Sequence, residues 1–162
     1  MASDAEIQDK FWKALTSDMV VMLGANGVDD GHAQPMTAIV DDDMGGRYLY
    51  FFTTRSNTIV REMAENSRAI ATFVSKGHDV FATINGTLMK HEDRETIDRL
   101  WNGHVAAWYP GGKDDPSLQL IRLDPESAQI WLNENSILAG VKALFGRDPK
   151  RDHDDKVAEV AL

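Results

Sequence analysis

The sequence predicts a mainly β protein with peripheral helices, folded as a small antiparallel barrel. Two observations support this prediction: six or seven short segments are rich in β-branched and aromatic residues, and only a few segments show helical periodicity. The gaps between the predicted strands are too short to hold a crossover helix after each strand. A parallel sheet with alternating helices is therefore disfavoured.

The expected elements follow from periodicity and from turn residues between the apolar runs. In chain order they are a helix over residues 4–17, strands over 19–25, 34–40 and 47–53, a helix that begins at 56 or 57, strands over 68–75 and 80–90, helices over 92–101 and 103–108, strands over 118–123 and 127–132, and a helix over 136–145.

Particular residues justify several of these elements. Ser3 and Glu6 have the spacing of a capping box, which predicts the start of the first helix. Pro35 restricts its strand to a sheet edge or to the first residues of a strand, because proline donates no backbone hydrogen bond. Asn85-Gly86 interrupts a β run, and local rules predict a tight hairpin there, with a bulge inside one long strand as the alternative.

The domain organisation is expected to be simple. A chain of 162 residues fits one domain, which we assign to residues 1–146. Residues 147–162 are highly charged and have little apolar periodicity. We therefore expect a loosely held tail there.

Composition limits the partners and the compartment. The net charge is −9 and the basic residues are scattered among acids, so a nucleic-acid-binding surface is not expected. No apolar run approaches the roughly 18 residues of a membrane span, so no membrane partner is expected. The chain has no cysteine and its first ten residues are polar and acidic, which fits a cytoplasmic protein.

Signatures of catalysis and of metal binding are absent from the sequence. It contains no nucleophile elbow, no phosphate-binding glycine loop and no zinc-protease motif, and its five histidines are widely spread. The acidic run at 41–43 is interpreted as a solvated turn, because the later ligands of a calcium loop are missing. We therefore name no catalytic residue and no metal ligand.

A candidate anion site lies where the aromatic strand ends. Thr53, Thr54, Arg55 and Asn57 follow the apolar run directly and precede a predicted helix, whose free N–H groups favour an anion. From local sequence alone, a strand end followed by a helix cap is the competing interpretation.

Two segments carry a family resemblance. The first is Gln34-Pro35-Met36-Thr37-Ala38 followed by the aromatic strand into Thr53-Thr54, and the second is residues 107–116, Ala-Trp-Tyr-Pro-Gly-Gly-Lys-Asp-Asp-Pro, with a later Trp131. Together they resemble the general stress protein branch of the FMN-binding split-barrel proteins related to pyridoxamine 5'-phosphate oxidase. The resemblance implies an antiparallel split barrel that binds FMN as a homodimer, with the flavin at the interface. It also favours one long bent strand through Asn85-Gly86.

The resemblance also implies a set of cofactor-binding residues. Hydroxyl and amide groups and one cation would hold the phosphate and ribityl chain, a second strand would lie along the ring, and two tryptophans would contact a flavin held mainly by the other chain. In that order these residues are Thr53, Thr54, Asn57 and Arg55; Gln34, Pro35, Met36 and Thr37; and Trp108 and Trp131. Gln34 and Ile59 depart from the family's more usual Arg and Lys, which removes two positive charges.

The implied function is flavin binding, with two activities left open. The first is a flavin-dependent oxidoreductase acting on an unknown small substrate, and the second is non-catalytic binding, storage or sensing of a flavin nucleotide during stress. A barrel that has lost its cofactor is a third interpretation, because the two cations are missing. FMN is the expected cofactor, FAD and a deazaflavin remain alternatives, and oxidation of pyridoxamine 5'-phosphate itself is not expected.

Overall fold

The computed structural model describes residues 3–42, 46–133 and 157–162, which form one antiparallel eight-stranded sheet with peripheral helices. The helices are α1 (Asp4–Asp18), α2 (Thr58–Glu62), α3 (Arg94–Leu100) and α4 (Gly103–Trp108). The strands are β1 (Val20–Ala25), β2 (Gln34–Thr37), β3 (Ile39–Asp41), β4 (Tyr48–Thr54), β5 (Ser67–Val74), β6 (Val80–His91), β7 (Leu118–Leu132) and β8 (Val157–Ala161). The predicted mainly β antiparallel class is confirmed.

The sheet curls until its two edges meet. The strand order is β2-β1-β5-β6-β7-β4-β3, and β8 pairs with the second half of β7. The edge strands β2 and β3 are consecutive in the chain and only Ala38 separates them. Ala38 is fully buried, and its N–H donates to the carbonyl of Met19 at 2.6 Å. This short connection brings the two ends of the sheet order together.

The interior of the curled sheet is covered by α1. The capping box predicted at Ser3 is present, because the Ser3 and Glu6 side chains each accept from the other residue's backbone N–H. Phe11 and Leu15 on this helix are fully buried, and the Phe11 ring meets the Phe73 ring of β5 edge-on at 6.4 Å. The first helix therefore packs into the core.

One glycine decides the path of β6. The strand runs unbroken past Asn85, with a register shift between Asn85 and Gly86 against β7. A Cβ at Gly86 would overlap the carbonyl oxygen of Asp124 on β7, so only glycine allows this close approach. The bulged long strand is therefore the observed form, and the hairpin suggested by local rules is excluded.

Three predicted elements are corrected by the structure. The strand over 34–40 is interrupted at Ala38, where the chain passes from one sheet edge to the other. The two strands predicted over 118–123 and 127–132 are one strand, β7. On one side, β7 pairs first with β4, up to Leu123, and then with β8, from Ser127. Pro125 lies between these two pairings, where no neighbouring strand on this side needs the N–H that proline lacks.

The third correction concerns the tail. Its last residues form β8, which pairs with β7 from Ser127 to Trp131, so these five residues are not a loose tail. Without β8, this part of β7 would leave its backbone N–H and C=O groups unpaired, which explains the pairing. The sequence pattern could not predict it, because it does not show which strand edge lacks a neighbour. The predicted helix over 136–145 lies outside the described residues, and the boundary at residue 146 stays a prediction.

Candidate functional site

A cleft of 680 Å³ lies where the two sheet edges meet, between β1, β2, the end of β4 and α4. Its volume falls within the roughly 300–1,000 Å³ that is usual for small-molecule sites. The lining residues are Ser17, Asp18, Met19, Val20, Pro35, Met36, Thr37, Ile39, Phe52, Thr53, Thr54, Asn57, Lys76, Asn102, His104, Val105, Trp108 and Tyr109.

One end of the cleft is built from neutral hydrogen-bonding groups. The apolar run of β4 ends in Thr53 and Thr54, and Asn57 then caps α2, its Oδ1 accepting from the N–H of Ile59 at 2.9 Å. Asn57 Nδ2 donates to Oε1 of Gln34 at 2.8 Å. This bond ties the end of β4 to β2, so four of the predicted residues meet at one place.

The helix next to this end contributes less than the sequence suggested. α2 spans only five residues, and Asn57 already satisfies one of its first N–H groups. A helix this short has a small dipole, so the polar end depends on side-chain hydroxyl and amide groups.

The walls of the cleft are mostly apolar. Pro35 and Met36 line one side, and Phe52 and Tyr109 line the other. Phe52 and Tyr109 both contact the ring of Trp101, at centroid distances of 5.8 and 6.3 Å. Burial raises the pKa of the Tyr109 phenol, and the negative charge of Asp115 adds to the rise, so this phenol stays neutral at ordinary pH.

Arg55 is directed away from the lining of the cleft. Its Nη1 donates to Oε1 of Gln119 at 3.1 Å and lies 3.5 Å from Oε1 of Glu92. Gln119 is buried and is fixed by its own bond to the carbonyl of Leu120. The predicted contact between Arg55 and a phosphate stays a prediction, and it requires the side chain to leave these partners.

The two predicted tryptophans have different positions. Trp108 lines the cleft from α4 and is nevertheless 82% exposed. Trp131 lies on β7 and does not line the cleft. The sheet register pairs Thr37 with Val20, Val74 with Phe81, and Phe81 with Trp131, and the pairing of Val21 with Phe73 places Val20 beside Val74. These five residues form one outer row on one sheet face, because directly paired residues share a face.

The length of the outer row decides what Trp131 can reach. Three strand spacings of about 4.8 Å separate Trp131 from Val20, the nearer of the two residues of this row that line the cleft, which is roughly 14 Å along the sheet. Trp131 therefore does not line the cleft of its own chain. A contact between Trp131 and a ligand in the cleft is expected through a second copy, as in the predicted dimer arrangement.

Sequence reasoning missed Asp18, Lys76, Asn102 and His104, which also line the cleft. Asn102 caps α4 through Oδ1, which accepts from the N–H groups of His104 and Val105. Lys76 lies two residues after the end of β5, and only the pairing of β1 with β5 brings it to the cleft. Of these residues, only Asn102 had a local signal in the sequence, because Asn before Gly103 and an apolar turn is typical of a helix N-cap.

The part of the chain that the structure describes contains no group of three metal-ligating side chains. Among the same residues, no helix has both the length and the apolar character needed to cross a membrane.

Comparisons with known proteins agree with this architecture. Residues 6–147 match the family described as pyridoxamine 5'-phosphate oxidase like. A general stress FMN/FAD binding protein from Xanthomonas citri is 55% identical over 82% of this chain and 92% of that chain, with a TM-score of 0.76. General stress protein 26 from Jannaschia sp. CCS1 is 27% identical over 99% of this chain and 100% of that chain, with a TM-score of 0.81.

A curated relative is more distant. Protein bli-3 of Neurospora crassa is 22% identical in an alignment 112 residues long that covers 64% of this chain and 54% of bli-3, so the chain spans about half the length of that relative. The family match covers most of the chain, and the structural similarity to general stress protein 26 covers 99% of it. The chain therefore belongs to the pyridoxamine 5'-phosphate oxidase-like family, within which it is similar to the general stress proteins.

Proposed function

We propose that this protein binds a flavin nucleotide, FMN in the first instance, in the cleft between β2, β4 and α4. One observation carries the proposal: a cleft with apolar walls ends in the hydroxyl and amide groups of Thr53, Thr54 and Asn57. Apolar walls suit a flat aromatic ring, and convergent polar groups suit a phosphorylated chain. The Xanthomonas citri protein, described as FMN/FAD binding, supports the same ligand class.

The residues present fit such a ligand. Pro35, Met36 and Thr37 would lie along the ring, and Gln34 would hold Asn57 in place, as their 2.8 Å bond indicates. Arg55, whose side chain is 57% exposed, would exchange Gln119 and Glu92 for the phosphate. A charge-assisted hydrogen bond to the phosphate contributes roughly 1.5–3 kcal/mol, and it would replace the bond to the neutral Gln119 and the long contact with Glu92.

A homodimer is part of the proposal. Large apolar side chains on the outer sheet face are about half exposed: Val20 53%, Met22 40%, Ile70 48% and Val74 48%. Such contiguous apolar patches usually mark interaction sites. A second copy packed on this face would cover them, and it would bring its Trp131 toward the cleft that lies at the edge of the same face.

The proposed activity is that of a flavin-dependent oxidoreductase acting in the cytoplasm. A bound flavin supplies the redox chemistry, while this chain binds and orients it and excludes water with Phe52 and Tyr109. The high exposure of Trp108 leaves one side of the cleft open to a second small molecule. Oxidation of pyridoxamine 5'-phosphate is not proposed, because Lys76 is the one Lys or Arg among the described lining residues.

The experiment has two steps. The absorbance spectrum of the native protein, with mass identification of any released ligand, tests flavin binding, and the proposal expects one FMN per chain. Anaerobic mixing with a nicotinamide donor then tests for bleaching of the flavin band. Binding without bleaching by any reduced nicotinamide would support flavin storage or sensing. A colourless protein that takes up neither FMN nor FAD on titration would contradict the proposed function.

A further inference from the structure

A single cation faces the cleft at the end opposite the hydroxyl and amide groups. Among residues 3–42, 46–133 and 157–162, Lys76 is the only Lys or Arg that lines the cleft. The sequence pattern did not indicate a role for Lys76, and the proposed function assigns it none.

The backbone around Lys76 is held firmly. Its N–H donates to Oδ2 of Asp18 at 2.7 Å, which fixes the turn after β5 to the end of α1. Within the same turn, Ser75 Oγ accepts from the N–H groups of Asp79 and Val80 at 3.1 and 3.0 Å. Lys76 therefore starts from a fixed backbone position at the rim of the cleft, and its flexible side chain alone has to adjust to a ligand.

The register of β2 separates the two polar ends. Gln34, at the start of β2, bonds Asn57, whereas Thr37, at its end, pairs with Val20, two residues after Asp18. Three residue steps along a strand cover roughly 10 Å. The hydroxyl and amide groups and Lys76 therefore mark the two ends of one elongated site.

We propose that Lys76 binds the pyrimidine end of the flavin ring, while Thr53, Thr54 and Asn57 hold the phosphate, and that Lys76 thereby favours the reduced flavin. This inference rests on the proposed function. Two-electron reduction by dithionite, which is oxidised to sulfite, adds one proton at N5 and leaves a negative charge at N1 and the neighbouring C2 carbonyl. A fixed cation stabilises that charge more than it stabilises the neutral oxidised ring.

Asp18 also lines the cleft, and its Oδ2 accepts from the Lys76 N–H. Asp18 is present both in the parent and in a Lys76 variant, so the difference between the two proteins reports the lysine side chain alone. His104 also lines the cleft, and it lies on α4, on the wall opposite Lys76.

The proposed contact between Lys76 and the flavin ring does not depend on whether the ligand carries a phosphate. A contact between Lys76 and the phosphate would depend on it, so ligands with and without a phosphate distinguish the two.

The test compares Lys76→Met with the parent in three titrations: oxidised FMN, riboflavin, and FMN reduced with dithionite. We expect the affinities for oxidised FMN and riboflavin to fall by the same few-fold factor. The affinity for reduced FMN should fall about tenfold further, which lowers the midpoint potential by about 30 mV for two electrons. Lys76→Arg should keep the parental potential. Lys90→Met, which removes an exposed lysine of β6 that does not line the cleft, is the matched control.

Two results would overturn the inference. If Lys76→Met weakens FMN binding and leaves riboflavin binding unchanged, Lys76 binds the phosphate. If all three affinities and the potential match those of the parent, Lys76 contacts no part of the flavin. Failure of the parent itself to bind FMN would instead refute the proposed function, and the parent titration shows this before any variant is made.

Discussion

The two faces of the β1–β5 strand pair differ in what covers them, although both are apolar. On the inner face, Val21 and Phe73 are almost completely buried, and Phe73 contacts the α1 side chain Phe11. On the outer face, Val20 and Val74 are about half exposed. Within the described residues, α1 covers the inner face and no helix covers the outer one. An apolar run on both faces of a strand therefore indicates two packing partners, and here one chain supplies only the first.

The largest expected effect is on the inner face. Phe11→Ala removes a fully buried ring from the core, and such a substitution costs about 3–5 kcal/mol of unfolding free energy. Urea unfolding followed by circular dichroism measures the loss. Lys10→Ala, at an exposed position of the same helix, should change the unfolding free energy by less than about 0.5 kcal/mol. Equal midpoints for the two variants would mean that α1 does not close the core.

A substitution on the outer face should affect dimer assembly and not folding. Val74→Lys places a charge in the centre of the proposed dimer interface, where burial costs about 3 kcal/mol or more, or roughly a hundredfold in the dimer dissociation constant. Sedimentation at micromolar concentration should show a dimer for the parent and monomers for the variant. Thr16→Lys makes the same charge change at an exposed position of α1, and should leave the dimer intact. A monomeric parent, or a dimeric Val74→Lys, would contradict the interface.

A smaller effect is expected from the two tryptophans that are proposed to contact the flavin, Trp108 in the cleft and Trp131 across the dimer. FMN should quench tryptophan fluorescence, and Trp108→Leu or Trp131→Leu should remove part of that quenching. Each should weaken FMN binding by about 0.5–1.5 kcal/mol, the usual contribution of an aromatic contact beyond area burial. Trp12→Phe is the control, because Trp12 packs against Phe11 in the core. If both leucine variants bind and quench like the parent while they remain dimeric, these two rings serve packing alone.

Local features were predictable from the sequence. The edge position of β2 follows from Pro35, and the start of α2 follows from the capping residue Asn57. Each depends on neighbouring residues, since a missing N–H or a capping side chain acts within a few positions. The hydroxyl and amide end of the cleft was found for the same reason, because its residues are close in sequence. The bulge in β6 is different: local rules favour a hairpin at Asn85-Gly86, and the contact that requires glycine is with the distant Asp124.

Features that depend on distant residues could not be predicted. Lys76 reaches the cleft only through the register of β1 and β5, and Arg55 turns to Gln119, which lies 64 positions further along the chain. The break at Ala38 and the pairing of β8 with β7 also depend on which strand edges meet. Sequence periodicity reports the face of a residue within its own element, and it carries no information on which elements become neighbours.

Phosphate binding at the hydroxyl and amide end of the cleft is tested best by the preference of the protein for FMN over riboflavin. We expect the parent to bind FMN at least about tenfold more tightly than riboflavin, because hydrogen bonds to a charged phosphate contribute roughly 1.5–3 kcal/mol. A Thr53→Val, Thr54→Val double variant should lose most of this preference, while Thr16→Val on α1 keeps it. A folded double variant that retains the parental preference would contradict the claim that this end of the cleft binds the phosphate.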